Sequence, residues 1–185
     1  MTYQIHIATT EDIRDLAFIH LESKKAAERD IVPDDFLDGL THQEYIEKWE
    51  EWFVVFTQEL GAQTYIAKNE EGKAVGFCNF GNLRTPPPGT SKIRPLYSSE
   101  IYAIYVLPEF FGHNIGTALF KKTIEHLLEN KHQSLCLWAL EKNKRACGFY
   151  VAMQGQRIGK QFVEMGGRKV KEVCYGWRSI KGLAS

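Results

Sequence analysis

From Ile101 to Leu107 the chain reads Ile-Tyr-Ala-Ile-Tyr-Val-Leu, a β-branched, aromatic and aliphatic run without a charge. Such a run fits a strand covered on both faces, which requires a sheet with helices packed on either side. Pro108 ends it, because proline cannot donate to a ladder and fixes its own φ. The turn that follows carries Gly112, Asn114 and Gly116. A helix then begins near Ile115, with Phe120, Ile124, Leu127 and Leu128 forming an apolar stripe and Lys121, Lys122, Glu125 and Glu129 outside it. Buried strand, glycine-bearing turn and helix start together suit the binding of phosphate. The first amides of a helix have no intrahelical partner and lie at the positive end of its dipole. Glycines beside them let an anion approach the backbone.

The rest of the chain alternates in kind. Tyr3 to Ala8 predicts a first strand, and Thr9 or Thr10 caps a helix with Glu11 and Asp12 in its first turn. An acidic stretch around Pro33 holds Glu28, Asp30, Asp34, Asp35 and Asp38, and Thr41 caps a second helix carrying Tyr45, Trp49 and Trp52. Thr64–Lys68 and Ala74–Phe80 read as a hairpin, followed by a loop over 81–98 rich in proline and containing Arg84, Lys92 and Arg94. After the helix at 115–130 come a doubly buried strand at Ser134–Leu140, a helix from Lys144 to Gln154 stopped by Gly155, and a closing pair around Gly166-Gly167. The expected fold is α/β, a mixed sheet flanked by helices, in one domain over residues 1–185.

Bulk properties narrow the function. Lys plus Arg and Asp plus Glu number 23 each, so no global field draws the protein to nucleic acid or an anionic membrane. No apolar run approaches the roughly 20 residues of a membrane span, and the N-terminal residues carry no signal-peptide pattern. A cytoplasmic protein is expected. Cys78, Cys136, Cys147 and Cys174 are far apart and the histidines scattered, so core thiols are expected and no metal site.

The segment Tyr105-Val-Leu-Pro-Glu-Phe-Phe-Gly-His-Asn-Ile-Gly116 resembles the pyrophosphate-binding motif of the GNAT superfamily, the acyl-CoA-dependent N-acyltransferases. Tyr105, Val106, Pro108, Gly112, Ile115 and Gly116 fall on it in register. Phe111 stands where Gln or Arg is usual, and Asn114 where Gly is usual. Asn tolerates left-handed backbone angles and is a favoured N-cap. Asn143 with Ala146, Phe149 and Tyr150 is similar to the family's Asn-x-x-Ala-x-x-Phe-Tyr segment, although Gln154 replaces a common Gly after it. The tail from Gly166 to Trp177 resembles a subgroup of these enzymes. The resemblance implies a sheet whose central parallel strands splay apart to admit the pantetheine arm.

It also implies roles. Glu100 would be the general base and Tyr150 the acid that protonates the leaving thiolate. Backbone groups of Ile104 and Val106 would pair with pantetheine, and Asn143 would contact the same arm. The amides of Gly112, His113, Asn114, Ile115, Gly116 and Thr117 would cradle pyrophosphate. Acetyl-CoA is then the co-substrate, no metal is needed, and the acceptor is a small-molecule, peptide or protein amine, with a homodimer left open. A covalent nucleophile is not signalled. Two rivals stand beside this reading: a CoA-binding or sensory module without turnover, and an interaction protein whose turn binds nothing.

Overall fold

A computed structural model describes residues 2–84 and 96–184. Most of the proline-rich stretch, with Lys92 and Arg94, lies outside the described residues. In chain order the elements are β1 (Tyr3–Ile7), α1 (Ile13–Glu28), α2 (Asp34–Asp38), α3 (His42–Leu60), β2 (Gln63–Asn69), β3 (Ala74–Asn82), β4 (Ser99–Val106), α4 (Ile115–Glu129), β5 (Leu135–Leu140), α5 (Lys144–Ala152), β6 (Gln156–Met165) and β7 (Arg168–Trp177). The order matches the sequence expectation except for α2, which converts part of the acidic stretch into a short helix. Arg29 holds it by pairing with Asp34 and Asp38 at 3.2 and 3.0 Å.

The strands form one seven-stranded sheet in the order β1-β2-β3-β4-β5-β7-β6. All neighbours are antiparallel except β4 and β5, which run parallel for only three residue pairs, Ser99–Leu135, Glu100–Cys136 and Ile101–Leu137. Beyond Ile101 they diverge: β4 stays with β3 as far as Val106, and β5 stays with β7 as far as Leu140. A bulge accompanies the divergence. Ile101 opposes Phe80 and Ala103 opposes Asn79, so Tyr102 is the extra residue. A bulge sharpens local twist and bends its strand.

Side-chain alternation divides the layers. Phe77 packs on His20 of α1, whereas a Cβ on its neighbour Gly76 would meet Leu119 of α4. α1 and α3 therefore cover one face and α4 the other, with α5 joining α4 through Phe149 and Phe120. The Thr41–Glu44 capping box starts α3, with Thr41 N–H donating to the Glu44 carboxylate at 2.9 Å and Glu44 N–H to Thr41 Oγ1 at 3.3 Å. Expected double burial holds for most of β5 but only for the start of β4, whose residues from Tyr102 to Val106 are half-exposed. They have lost β5 as a neighbour. The four cysteines are free thiols, three of them buried and Cys147 half-buried.

Candidate active site

The divergence of β4 and β5 opens a cleft of about 1430 Å³ that passes through the sheet. Leu107 N–H donates to Val75 O on β3 at 2.9 Å. Backbone groups alternate along a strand, so those of Ile104 and Val106 point the other way, into the gap. Ser23 Oγ on α1 donates to Val106 O at 3.2 Å, which uses part of that carbonyl. These are the groups expected to pair with an extended ligand arm.

At one mouth of the cleft stands the start of α4. Asn114, its N-cap, has φ 60° and no side-chain cap hydrogen bond. The expectation of a left-handed Asn holds, and that of a side-chain cap does not. Left-handed backbone at Asn114 turns its side chain away from the helix amides, so those of Ile115, Gly116 and Thr117 lack a partner from the cap. Gly112, at φ 82°, needs glycine for its backbone angle. Gly116 is different. A Cβ there would meet Phe149 and Val106 only at ordinary contact distances of 3.7 to 3.9 Å, so packing does not demand its small size. An acidic residue is absent from the first turn of α4. Neutral amides, open space and no opposing carboxylate suit a phosphate group. Gly112, Asn114, Ile115, Gly116 and Thr117 line the cleft, while His113 is exposed and lies outside the lining.

α5 forms the wall next to α4. Asn143 Oδ1 accepts from Ala146 N–H at 3.0 Å and so caps α5, and the residue lines the cleft. Tyr150 is buried between Phe149 and Tyr175, lines the cleft, and its hydroxyl makes no hydrogen bond to a described residue. Burial pushes its pKa above the ordinary phenol value, so it keeps its proton.

Glu100 lies where β4 and β5 still run together. Its partner Gly81 follows Phe80, which stacks on Tyr65 and meets His126 of α4 edge-on, so the Glu100 carboxylate belongs to the opposite, α1 side. It is buried and held by Arg84. The Arg84 Nε donates at 2.9 Å, Nη2 donates to the same oxygen, and the backbone N–H donates to the other at 3.3 Å. Arg84 also lies over the ring of Tyr102, 4.8 Å from its centroid. Arg84, which the sequence places only in the loop after β3, thus serves Glu100.

Sequence reasoning missed the opposite wall. Glu28, at the end of α1, is buried and takes Lys24 Nζ on both carboxylate oxygens at 2.7 Å. Burial raises its pKa, Lys24 opposes that, and the charge of Glu172 adds to it. Gln161 Nε2 donates to Glu172 Oε2 at 2.7 Å. The acidic stretch thus splits: Glu28 and Asp30 line the cleft, and Asp34 and Asp38 lie outside the lining, paired with Arg29. Among the described residues, no group of three or more His, Cys, Asp or Glu is placed to hold a metal, and no helix is long and apolar enough to cross a membrane.

Comparison with known proteins agrees with this architecture. The profile of the acetyltransferase (GNAT) family matches residues 26–164. The chain is 32% identical over 176 residues to an uncharacterised N-acetyltransferase, YuaI, of Bacillus subtilis, covering 95% of this chain and 93% of that one. Among solved structures it is similar to the PaiA N-acetyltransferase of Thermoplasma acidophilum in complex with coenzyme A, with TM-score 0.69, 17% identity, and 93% and 98% of the two chains covered. It is also similar to YncA of Salmonella typhimurium, a protein described as an acetyltransferase with its cofactor acetyl-CoA, with TM-score 0.67, 14% identity, and 100% and 98% covered.

Proposed function

Because the chain belongs to the acetyltransferase (GNAT) family, we propose that it transfers the acetyl group of acetyl-CoA to a primary amine by direct attack within a ternary complex. The observation that carries this reading is the uncapped start of α4 at the mouth of a gap between parallel strands. Acetyl-CoA, when bound, supplies an acyl group activated as a thioester. The amides from Gly112 to Thr117 hold its pyrophosphate, and the inward backbone groups of Ile104 and Val106 and the Asn143 amide hold its arm. The cleft of about 1430 Å³ exceeds the usual upper range of about 1,000 Å³ for one small ligand. That leaves room for an acceptor on the α1 side.

Glu100 takes the proton of the amine, directly or through water, as the nitrogen–carbon bond forms. Tyr150 gives its proton to the sulfur as the carbon–sulfur bond breaks. Both residues require only modest movement of protons, since binding supplies most of the orientation. The same proposal treats the chain as one acyltransferase domain without a metal, and the use of acetyl-CoA fits a cytoplasmic setting.

One structural feature favours an alternative: Glu100 is already occupied by Arg84. A protein that binds CoA without turnover would tolerate that pairing. The test has two stages. First, the unfolding midpoint is measured with millimolar acetyl-CoA, with NADH and ATP as controls. Acetyl-CoA alone should raise it, since a ligand at 100 times its dissociation constant adds about 2.7 kcal/mol. Second, thiol release is followed with a panel of amines. Release with any amine removes the alternative, whereas no midpoint shift sinks both readings.

A further inference from the structure

The phosphate turn has no cation of its own. Gly112, Asn114, Ile115, Gly116 and Thr117 offer neutral amides, and His113 is exposed and outside the cleft lining. Dipolar amides at a helix start carry about half a positive charge in sum, which is small against the two negative charges of a pyrophosphate diester. A full cation does stand beside the turn. The Arg145 guanidinium lies 4.3 Å from the centroid of the Phe111 ring, and both residues line the cleft.

Two further features mark this pair. Phe111 is 38% exposed at the cleft mouth, so its ring is not there for the core. Arg145 sits with Lys144 in the first turn of α5, where no acidic residue balances them. Cations at a helix N-terminus oppose the dipole and cost stability, while the same arrangement attracts an anion. Among the described residues no carboxylate pairs with Arg145. A stacked guanidinium is also held in one orientation, so less rotamer freedom is lost when it meets a phosphate.

We propose that Arg145, laid on the ring of Phe111, supplies the cation of the pyrophosphate site, replacing a polar side chain that Phe111 itself cannot provide. The proposal rests on the acyl-CoA reading above. Phe111 is then a platform, and a positioning residue, while Arg145 contacts the ligand by two charge-assisted hydrogen-bond donors.

Calorimetric titration of CoA and of 3′-dephospho-CoA into the wild type, Arg145→Ala, Phe111→Ala and the double variant Arg145→Ala/Phe111→Arg tests it. Arg145→Ala should weaken both ligands by about tenfold. Phe111→Ala should weaken them by about two- to fivefold, as expected for an exposed cation–π contact. In the double variant the arginine moves to position 111, and affinity should return to within about threefold of the wild type. Unfolding midpoints confirm that each variant is folded, which the exposure of both side chains favours. Arg145→Ala within about twofold of the wild type overturns the proposal. So does a loss seen with CoA and not with 3′-dephospho-CoA, because that places Arg145 on the 3′-phosphate. If the wild type binds neither ligand, the acyl-CoA reading fails first and this one falls with it.

Discussion

At the scale of single residues, the two proposed proton-transfer groups sit in opposite surroundings. Glu100 is anchored by a guanidinium, and Tyr150 has no hydrogen-bond partner among the described residues and is kept protonated by burial. Glu100→Gln keeps the shape of the side chain and removes the proton acceptor. We expect turnover at neutral pH to fall by about a hundredfold, with acetyl-CoA affinity unchanged by titration calorimetry. The loss should shrink as pH rises toward the acceptor's own pKa, because less of the acceptor then arrives as ammonium with an additional proton for Glu100 to remove. Equal activity of variant and wild type across the pH range would remove Glu100 from the mechanism. Tyr150→Phe deletes one hydroxyl without emptying the core site. Its expected signature is kcat lower by about ten- to a hundredfold with the KM for acetyl-CoA little changed. A change in KM alone would make Tyr150 a wall of the cleft and nothing more.

At the scale of elements, the end of α5 is informative. Gln154 N–H donates to Val151 O and Gly155 N–H to Tyr150 O, at 2.9 and 2.8 Å, which is the Schellman pattern. The left-handed position is Gln154, with φ 65°, and not Gly155 as the sequence led one to expect. Gly155 is small for another reason: a Cβ there would lie 2.6 Å from the Trp177 ring and 2.9 Å from Tyr150 O. Gln154→Gly should therefore stabilise the fold by about 0.5–1 kcal/mol, strain relief being partly offset by a freer unfolded chain. Gly155→Ala should destabilise it by about 1–3 kcal/mol. Urea denaturation of the two variants checks both signs. The same contrast explains what could be read in advance. Elements with a local period, such as α4 and the hairpin of β2 and β3, were legible, and so was the turn after Pro108, because strand, glycines and helix are contiguous. The half-exposure of β4 was not, since a cleft wall of Tyr, Ile and Val has the composition of a core. Nor was the meeting of Arg84 with Glu100, of Arg145 with Phe111, or of Glu28 with the cleft. Those contacts depend on packing between distant segments, and charge in a sequence carries no address.

At the scale of the whole molecule, a buried histidine contributes to the response to acid. His20 is enclosed by Tyr45, Trp49, Trp52, Phe77 and Tyr105, and burial pushes its pKa down to about 3, helped by Lys24 and Lys48. The unfolded chain takes up a proton near pH 6.5 and the folded one does not, so stability is complete above that pH and declines as pH falls toward 3. The slope is at most about 1.4 kcal/mol per pH unit for one such group. Burial lowers His126 and His132 in the same sense, while the raised Glu28 works against them at lower pH. Urea unfolding at pH 7.5 and pH 5 should thus find a larger loss in the wild type than in His20→Phe; equal losses would clear His20 of any part in it. The brief parallel seam between β4 and β5 has a consequence for protection against aggregation. An ordinary open sheet has two margins with unpaired backbone, and each invites another chain. Here the divergence adds two inner margins, one along Tyr102–Val106 and one along Trp138–Leu140. The outer strand β6 carries Arg157, Lys160 and Glu164, charges that discourage a passing strand. The inner margins carry none, and they need none, because a sheet of another molecule cannot enter a slot between two strands of this one. A single extended arm can, and the strands are free to be as apolar as its binding requires.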